Sequence, residues 1–329
     1  MSRVAVVGAG GFGTALSVHL ARLGHQVALC ARRPAFAGEL AARRENRPYL
    51  PGVQLPATVT PCADAGTALE GAEALVLAVP SQHLRAAVED LRRHPLPDLV
   101  VDTAKGIELQ SLLRMSELLA QAGVDAVALS GPSHAEEVGR GQPTAVVVAH
   151  PDEGRRAAAQ RLLHGPGLRV YSSPDRTGVE LGGALKNVLA LASGVSEGLE
   201  LGDNLRAALL TRGLAEITRL GVACGAQAAT FAGLAGLGDL LATVMSPHSR
   251  NRRAGIAVGK GTPLRDVLQA SPMVVEGVPA TRAALDLAHQ MGQDLPIAAA
   301  LARLLFEAAD PRQEIALLLA RAFKEEERW

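Results

Sequence analysis

The chain has 329 residues, of which 48% are hydrophobic, so it is long enough and apolar enough for two domains with substantial cores. Its 33 lysines and arginines balance its 33 aspartates and glutamates, which excludes a strong overall field toward nucleic acid or an acidic membrane. The three cysteines, Cys30, Cys62 and Cys224, lack the spacing of metal ligands, and we interpret each as a small residue of the core or near-surface.

Cellular location is predicted from three features. An odd number of scattered cysteines favours a reducing compartment over a disulfide framework. The chain starts without the basic region, apolar stretch and cleavage site of a secretory signal. The longest uncharged stretch, residues 220–238, consists mainly of small residues and is too weakly apolar to predict a membrane span. We therefore expect a cytoplasmic protein with no membrane insertion.

The first half of the chain alternates short β-branched runs with amphipathic stretches, the pattern of βαβ units in a mainly parallel sheet. It predicts an α/β, Rossmann-like, doubly wound domain over residues 1–179, which we assign to dinucleotide binding. The predicted strands are residues 4–8, 26–32, 74–80, 99–104, 126–131, 144–150 and 168–173.

A glycine-rich turn follows the first predicted strand in the sequence VAVVGAGGFGTAL. Gly8, Gly10 and Gly13 have the GxGxxG spacing, which serves a tight turn, approach of a pyrophosphate to the backbone, and close packing of the following helix. The phosphates of a dinucleotide are then held by the N-terminal N–H groups of that helix. A plain tight turn is the weaker interpretation, because the strand–turn–helix context is also present.

The second predicted strand ends in CARR, without the acidic residue that usually binds the ribose hydroxyls of NAD. Arg32 and Arg33 suit a 2′-phosphate instead, so NADP(H) should be accepted. The alternative is that both arginines only face solvent. Tyr49, in NRPYLPG, is predicted either to contact the cofactor or to cover apolar surface, and its spacing does not decide between the two.

Polar loops follow several later strands, at the edge of an open sheet where ligands bind. Lys105 leaves one strand in the sequence DTAKGIE. Ser133, in LSGPSHAEEV, is predicted either to contact a ligand or to be an ordinary helix cap.

The second half changes to long alanine–leucine segments with helical period, near residues 179–197, 205–221, 279–291 and 297–308. We predict an all-α, substrate-binding and catalytic domain over residues 180–329, ending in a charged, solvated helix end at residues 324–329. One of its helices, GGALKNVLALASG, carries Lys186 among small and apolar residues. The lysine either extends its stem to the surface or serves chemistry, with Gly182 and Gly183 leaving space for a ligand.

A basic cluster follows Asp239 in the second half. Ser249, Arg250 and Asn251 can hold a phosphate by hydroxyl, guanidinium and amide donors, although such a run is more often a solvated surface. No aromatic residues surround it, which argues against single-stranded nucleic acid. His134 and His248 lack partners at catalytic or metal-ligand spacing, so no metal site is predicted.

These motifs together resemble those of the bacterial-type, NAD(P)-dependent glycerol-3-phosphate dehydrogenases. The similarity runs nearly end to end through GAGGFGTAL, NRPYLPGVQLP, AVPSQ, AKGIE, SGPSHAEEV, ELGGALKNVLALASGVSEGLELGDNLRAALLTRGLAEITRLG, GLAGLGDLLAT, SRNRRAG and VVEGV. It implies interconversion of sn-glycerol 3-phosphate and dihydroxyacetone phosphate with NADP(H) or NAD(H), supply of glycerol 3-phosphate for glycerophospholipids, and a homodimer.

The resemblance also implies roles for individual residues. Lys186 matches the proton acceptor, and Lys105 a position that contacts both cofactor and substrate. The remaining substrate positions are Gly131, Ser133, Asp239, Ser249, Arg250 and Asn251. The cofactor positions are Gly8, Gly10, Gly11, Phe12, Gly13, Arg32, Arg33, Tyr49, Lys105, Ala135, Arg250, Val274 and Glu276.

The chain departs from the family pattern at Phe12, where Trp or Tyr is frequent, and at His134, where Phe is usual. The segment before SRN reads ATVMSPH and lacks the more usual cysteine. None of these changes removes a catalytic group. Two alternatives to this function are another hydroxyacid-type dehydrogenase with a phosphorylated substrate and a non-catalytic NADP(H)-sensing protein.

Overall fold

The computed structural model describes residues 1–271 and 273–321, so the predicted helix end at residues 324–329 lies outside the described residues. The chain forms two compact units. The sheet unit comprises Met1–Lys105 and Leu113–Val179, and the helical unit comprises Gly106–Leu112 and the chain from Glu180 onward. The short segment Gly106–Leu112 joins the helical unit because Ile107 is buried in its core.

The sheet unit is built on one eight-stranded sheet with the order β10-β9-β8-β7-β6-β1-β2-β5. All neighbours are parallel except β8 and β9, which pair antiparallel. The ten strands are β1 Arg3–Val7, β2 Gln26–Cys30, β3 Glu45–Asn46, β4 Leu50–Gln54, β5 Val59–Cys62, β6 Ala74–Leu77, β7 Leu99–Asp102, β8 Val127–Ser130, β9 Thr144–Ala149 and β10 Leu168–Ser173.

The predicted fold class is confirmed, since each of the seven predicted strands overlaps a strand of the sheet. The sequence pattern missed the small antiparallel pair of β3 and β4 and the edge strand β5. Strand β5 has four residues and contains Pro61, which an edge strand tolerates but a central strand does not.

The reversal at β9 leaves β1, β2, β6, β7 and β8 running in one direction. Their carboxyl ends therefore lie along one edge of the sheet, where open α/β sheets bind ligands. The glycine-rich turn, the paired arginines and the loops after β6, β7 and β8 all start at this edge.

Helices cover both faces of the sheet, as a doubly wound parallel sheet requires. Alternate residues of β1 belong to different apolar clusters: Val4 and Val6 lie in one, and Ala5 and Val7 lie in the other. The helices of this unit are α1 Gly11–Arg22, α2 Pro34–Arg43, α3 Ala65–Leu69, α4 Leu84–Leu91, α5 Met115–Gln121, α6 Ala135–Arg140 and α7 Glu153–Leu163.

The helical unit has no strand in its described part, which confirms the predicted all-α character. Its helices are α8 Arg176–Gly198, which starts four residues before the unit boundary, α9 Asp203–Ala223, α10 Ala228–Phe231, α11 Asp239–Met245, α12 Arg250–Gly259, α13 Leu264–Ala270, α14 Gly277–Gln290, α15 Pro296–Phe306 and α16 Pro311–Leu319. A π-helical turn, Leu234–Gly238, leads directly into α11.

Helices α8 and α12 pack backbone against backbone through glycines spaced four apart on each helix. An ideal Cβ on Gly255 would lie 2.8 Å from the Cα of Gly194, and one on Gly259 would lie 3.1 Å from the Cα of Gly198. Small residues at this spacing allow helix backbones to approach closely. The contact brings the start of α12, which carries the SRN sequence, beside the helix that carries Lys186.

One stretch of the described chain, Ala228–Met245, is long and apolar enough to cross a membrane by composition, with a mean hydropathy of 1.5. It consists of α10, the π-helical turn and α11, and it contains the buried carboxylate of Asp239. Core helices of globular proteins meet the same criterion, so the stretch is only a weak indication of a membrane span.

Candidate active site

The glycine-rich turn has the backbone geometry that its sequence predicts. Gly8 adopts a φ of +112°, a conformation that side chains disfavour, and its N–H donates to the carbonyl of Cys30 at 3.0 Å. Gly13 packs against the carbonyl of Gly8. An ideal Cβ on Gly10, at the start of α1, would meet no atom within 4 Å, so the space over the helix N-terminus is open to a ligand.

Three predicted cofactor positions meet at Gly11. An ideal Cβ on this residue would lie 2.8 Å from the carbonyl oxygen of Tyr49 and 3.4 Å from the Cβ of Ala135. Phe12, Tyr49 and Ala135 are half-buried and pack against the core of the sheet unit. Tyr49 therefore covers apolar surface at the same place where the cofactor is expected.

Asn46 holds this arrangement together and was missed by the sequence analysis. Its buried amide nitrogen donates to the carbonyl of Ala9 at 3.0 Å and to the hydroxyl of Thr14 at 2.7 Å. Its amide oxygen accepts from the N–H of Tyr49 at 3.2 Å. Asn46 thus ties the glycine-rich turn to the Tyr49 loop, and its place in NRPYLPG was the available signal.

Arg32 and Arg33 follow β2 after one buried residue, Ala31, and both are exposed. The guanidinium carbon of Arg33 lies 5.3 Å from the ring centroid of Phe36, and that ring meets Tyr49 edge-on with centroids 5.7 Å apart. Their exposure is compatible with a 2′-phosphate and equally with solvent alone.

Lys105 and Ser133 converge on one backbone oxygen of the sheet unit. The Nζ of Lys105 and the Oγ of Ser133 each donate to the carbonyl of Gly131 at 2.9 Å. Gly131 has a φ of +120°, which turns the chain at the end of β8. The alternative interpretation of Ser133 as an ordinary helix cap is wrong, because α6 starts after His134 and no side chain caps it.

Lys186 lies in a buried polar cluster of the helical unit and is only 6% exposed. Its Nζ donates to Oδ1 of Asp239 at 2.5 Å and to Oγ1 of Thr243 at 2.6 Å, and that hydroxyl donates to the Asp239 carbonyl at 2.6 Å. A buried ammonium needs such partners because desolvation is costly. The alternative that Lys186 extends its stem to the surface is therefore wrong.

A π-helical turn, Leu234–Gly238, directly precedes Asp239. Such turns are frequent at functional sites. Gly182, on α8, packs against this turn: its ideal Cβ would lie 3.0 Å from the carbonyl oxygen of Ala235. The interpretation of Gly182 as space for a ligand is wrong, because a neighbouring backbone occupies that space. Thr243, one turn after Asp239, was also missed by the sequence analysis.

A second buried polar cluster links α8, α12 and the start of α14. The amide nitrogen of Asn251 donates to Oδ1 of Asn187 at 2.9 Å, and Oδ1 of Asn251 accepts from the N–H of Gly277 at 2.9 Å. Glu276 is half-buried and immediately precedes this contact, whereas Val274 is exposed.

The basic cluster divides into residues with different partners. Ser249 is buried and caps α12 by accepting from the N–H of Arg252 at 3.2 Å. Arg252 forms a two-bonded ion pair with Glu197, with N–O distances of 2.8 and 2.6 Å. Arg250 is exposed and donates to the sulfur of Met273 at 2.8 Å. Arg250 is thus an exposed cation at the start of α12.

The described residues contain no group of three or more histidine, cysteine, aspartate or glutamate side chains placed to hold a metal ion. A cavity of about 600 Å³ lies in the helical unit among α9, α15 and α16, and Lys186 does not line it. Glu216 does line it, and both its carboxylate oxygens accept from the N–H of Ile297, at 3.0 and 3.1 Å. Burial raises the pKa of Glu216 to about 7.

The raised pKa of Glu216 should make the stability of the protein depend on pH. The pKa of Glu216 in the folded protein lies above the ordinary value of 4.5. The stability that the carboxyl contributes is therefore fully present below pH 4.5 and is lost as pH rises through about 7. Relative to wild type, Glu216→Gln should gain stability between pH 5 and 8, by up to roughly 3 kcal/mol. Urea unfolding at both pH values measures this, with Glu307→Gln, an exposed glutamate, as the control. A gap between wild type and Glu216→Gln that does not change with pH would contradict the assignment.

The two halves of the chain match the two parts of one known enzyme family. Residues 3–155 match the family described as NAD-dependent glycerol-3-phosphate dehydrogenase N-terminus, and residues 175–316 match the corresponding C-terminus family. The chain belongs to the bacterial-type, NAD(P)-dependent glycerol-3-phosphate dehydrogenases.

Individual members of this dehydrogenase family are similar over the whole chain. The glycerol-3-phosphate dehydrogenase [NAD(P)+] of Desulfitobacterium hafniense is 51% identical, over 99% of this chain and 93% of its own. That of Moorella thermoacetica is 52% identical, over 97% and 96%. The crystal structure of glycerol-3-phosphate dehydrogenase from Coxiella burnetii superposes with a TM-score of 0.93 at 36% identity, covering 97% of this chain and 99% of its own.

Proposed function

We propose that the chain is an enzyme that interconverts dihydroxyacetone phosphate and sn-glycerol 3-phosphate with NADP(H) or NAD(H). The observation that carries the proposal is the buried cluster of Lys186, Asp239 and Thr243, in a chain that belongs to this dehydrogenase family. A structural lysine gains little from such burial, whereas an acid–base lysine needs a fixed position and a screened charge.

We assign residues 1–179, which include the sheet unit, to dinucleotide binding, and residues 180–329 to substrate binding and catalysis. The open space over Gly10 and the turn at Gly8 support a bound pyrophosphate. A nicotinamide nucleotide, when bound, supplies or accepts the hydride. The proposed cofactor residues are Gly8, Gly10, Gly11, Phe12, Gly13, Arg32, Arg33, Tyr49, Lys105, Ala135, Arg250, Val274 and Glu276.

Lys186 is the proposed acid and base. When the substrate ketone becomes an alcohol, its oxygen gains negative charge and takes a proton from the Nζ of Lys186, and the reverse reaction returns that proton. The bonds to Asp239 and Thr243 fix the orientation of the ammonium. The Asp239 carboxylate also favours the charged form of the lysine, which is the form that donates during reduction.

The substrate phosphate is assigned to the start of α12. Arg250 supplies an exposed guanidinium, and Ser249 and Asn251 flank it with a hydroxyl and an amide. Binding energy from this remote group positions the reacting carbon. The proposed substrate residues are Lys105, Gly131, Ser133, Lys186, Asp239, Ser249, Arg250 and Asn251.

The cellular role follows from the reaction. We propose a cytoplasmic homodimer that supplies glycerol 3-phosphate for glycerophospholipids, as the family resemblance implies. Light scattering of the purified chain tests the dimer.

If Arg32 and Arg33 bind the 2′-phosphate, their removal should weaken the use of NADPH more than that of NADH. The double substitution Arg32→Gln/Arg33→Gln should raise KM for NADPH by about tenfold or more, since charge-assisted hydrogen bonds to a phosphate are lost. KM for NADH should change less than about twofold. Steady-state kinetics with each nucleotide measures both, and Arg92→Gln, another exposed arginine of the sheet unit, is the control. An equal effect on the two nucleotides would place both arginines in solvent.

A substrate panel tests the reaction class. Purified protein with NADPH is given dihydroxyacetone phosphate, a set of 2-keto acids and 3-keto acids, and no substrate, while the absorbance of the reduced nicotinamide is followed. Turnover with dihydroxyacetone phosphate alone supports the proposal. Turnover with the acids would indicate a hydroxyacid dehydrogenase, and NADPH binding without turnover would indicate a sensor.

A further inference from the structure

Cys30 and Cys62, which are far apart in the sequence, are partners in the sheet. They are paired in register at the carboxyl ends of the parallel strands β2 and β5. Neighbouring strands lie about 4.8 Å apart, and residues in register project to the same face. Disulfides span Cα separations of about 4.4 to 6.8 Å, so this pairing suits a disulfide. Cys30 is a core residue and Cys62 is half-buried against the same apolar cluster, as the sequence interpretation expected, but their pairing in the sheet was not predicted.

A side-chain hydrogen bond joins the two thiols, on the side of the sheet that faces one apolar cluster. A hydrogen bond from Cys30 lowers the pKa of the Cys62 thiol, while the same bond and burial raise the pKa of Cys30. Cys62 is half-buried and Cys30 is buried, so an oxidant in solution reaches Cys62 first. The more accessible thiol is thus also the one more easily ionised, as a reactive cysteine requires.

The pair adjoins the backbone that the proposed function assigns to the cofactor. The carbonyl of Cys30 accepts from the N–H of Gly8 at 3.0 Å, and the N–H of Ala31 donates to the carbonyl of Cys62 at 2.8 Å. Arg32 follows immediately. A change in the spacing of the two sulfurs therefore acts on the turn and on the arginine at once.

We propose that Cys30 and Cys62 are a reversible thiol–disulfide pair whose oxidation by a low-molecular-weight disulfide weakens the binding of NADP(H). The effect on the nucleotide rests on the proposed function, whereas formation of the disulfide does not. A structural disulfide is rare in a reducing compartment, but a strained and regulatory one is compatible with it.

The disulfide between Cys30 and Cys62 forms in two thiol–disulfide exchange steps. The Cys62 thiolate attacks one sulfur of the small disulfide, forming a mixed disulfide and releasing one small thiolate. Cys30 then loses its proton and attacks the Cys62 sulfur of the mixed disulfide, which releases the second small thiolate. Two protein thiols are oxidised, one small disulfide is reduced to two thiols, and the two protons go to the released thiolates.

The second step is aided by the first. The hydrogen bond to Cys62 and the charge of its thiolate are among the causes that raise the pKa of Cys30. A mixed disulfide on Cys62 carries no thiolate charge, so that cause is absent in the second step.

The experiment treats the full chain with glutathione disulfide. Intact mass should fall by about 2 Da relative to the reduced chain, and peptide mapping should link Cys30 to Cys62. The Kd for NADPH, measured by fluorescence titration, should rise about fivefold or more and return to its first value with dithiothreitol. Cys62→Ser should show neither change, whereas Cys224→Ser should show both.

Three outcomes would overturn the proposal: a mixed disulfide that persists on Cys62, a link between two chains, or a mapped Cys30–Cys62 disulfide with an unchanged Kd. Failure of the proposed function is separate from these. The reduced protein would then bind no NADPH or turn over no dihydroxyacetone phosphate, while the mass measurement would still report on the disulfide.

Discussion

Replacing Lys186 with methionine is expected to lower kcat for dihydroxyacetone phosphate reduction by about a thousandfold or more, with little change in the Kd for NADPH. The methionine keeps an unbranched chain of similar length but has no proton to exchange, and general acid–base groups contribute about 10² to 10⁴ in rate. Steady-state kinetics measures the loss, and fluorescence titration measures the nucleotide affinity.

The same substitution has a structural side effect that needs a control. It leaves the carboxylate of Asp239 buried at 2% exposure without the lysine, and breaking a buried ion pair in this way destabilises a protein by about 3 to 5 kcal/mol. The double variant Lys186→Met/Asp239→Asn removes both charges and should recover most of the stability but none of the activity. A folded single or double variant with kcat close to wild type would remove Lys186 from the acid–base role.

Gly255→Ala is expected to lower the free energy of unfolding by about 3 kcal/mol, a large effect for one methyl group. The added Cβ would be 2.8 Å from the Cα of Gly194 and 2.8 Å from the backbone nitrogen of Val195. Backbone atoms of a packed helix cannot move aside as a side chain can. The helices α8 and α12 must then separate, which also shifts Asn251 away from Asn187.

Gly38→Ala is the matched control, because it adds the same methyl group to a helix of the sheet unit. Its ideal Cβ meets no atom within 4 Å, so the higher helix propensity of alanine should stabilise the protein by about 0.5 to 1 kcal/mol. Urea unfolding of both variants measures the contrast. Equal midpoints for the two variants would show that α8 and α12 are not in backbone contact.

The sheet could be predicted from sequence because buried parallel strands carry continuous apolar runs, as in VAVVG and ALVLA. Strand β5 could not, because its VTPC sequence contains a proline and gains its pairing only from the neighbouring β2. The segment Gly106–Leu112 was also unpredictable. Nothing in its local pattern says that Ile107 is buried in the helical unit and not against the sheet.

The chemical partners of the predicted residues depend on tertiary contacts. Lys186 stood out as a cation among apolar residues, but its partners Asp239 and Thr243 lie 53 and 57 positions further along the chain. No periodicity encodes such a separation. The resemblance identified Asp239 by the motif GLAGLGDLLAT, whereas Thr243, the last residue of the same motif, was given no role.

The arginines of the basic cluster have different surroundings in the structure. Arg250 and Arg252 are two positions apart on α12, where successive side chains are turned by about 100°, so the two face different surroundings. Arg252 pairs with Glu197 and Arg250 is exposed. Glu197 lies 55 positions before Arg252 in the chain, and no sequence pattern indicates that the two side chains are close in space.

The steady-state rate of dihydroxyacetone phosphate reduction, measured with NADPH and with NADH, shows whether the chain catalyses the proposed reaction. Unphosphorylated dihydroxyacetone in the same assay reports the contribution of the phosphate site. We expect saturable oxidation of NADPH by dihydroxyacetone phosphate, with sn-glycerol 3-phosphate as product and a much lower rate for dihydroxyacetone. No oxidation of either nucleotide by dihydroxyacetone phosphate, in protein that binds NADPH, would contradict it.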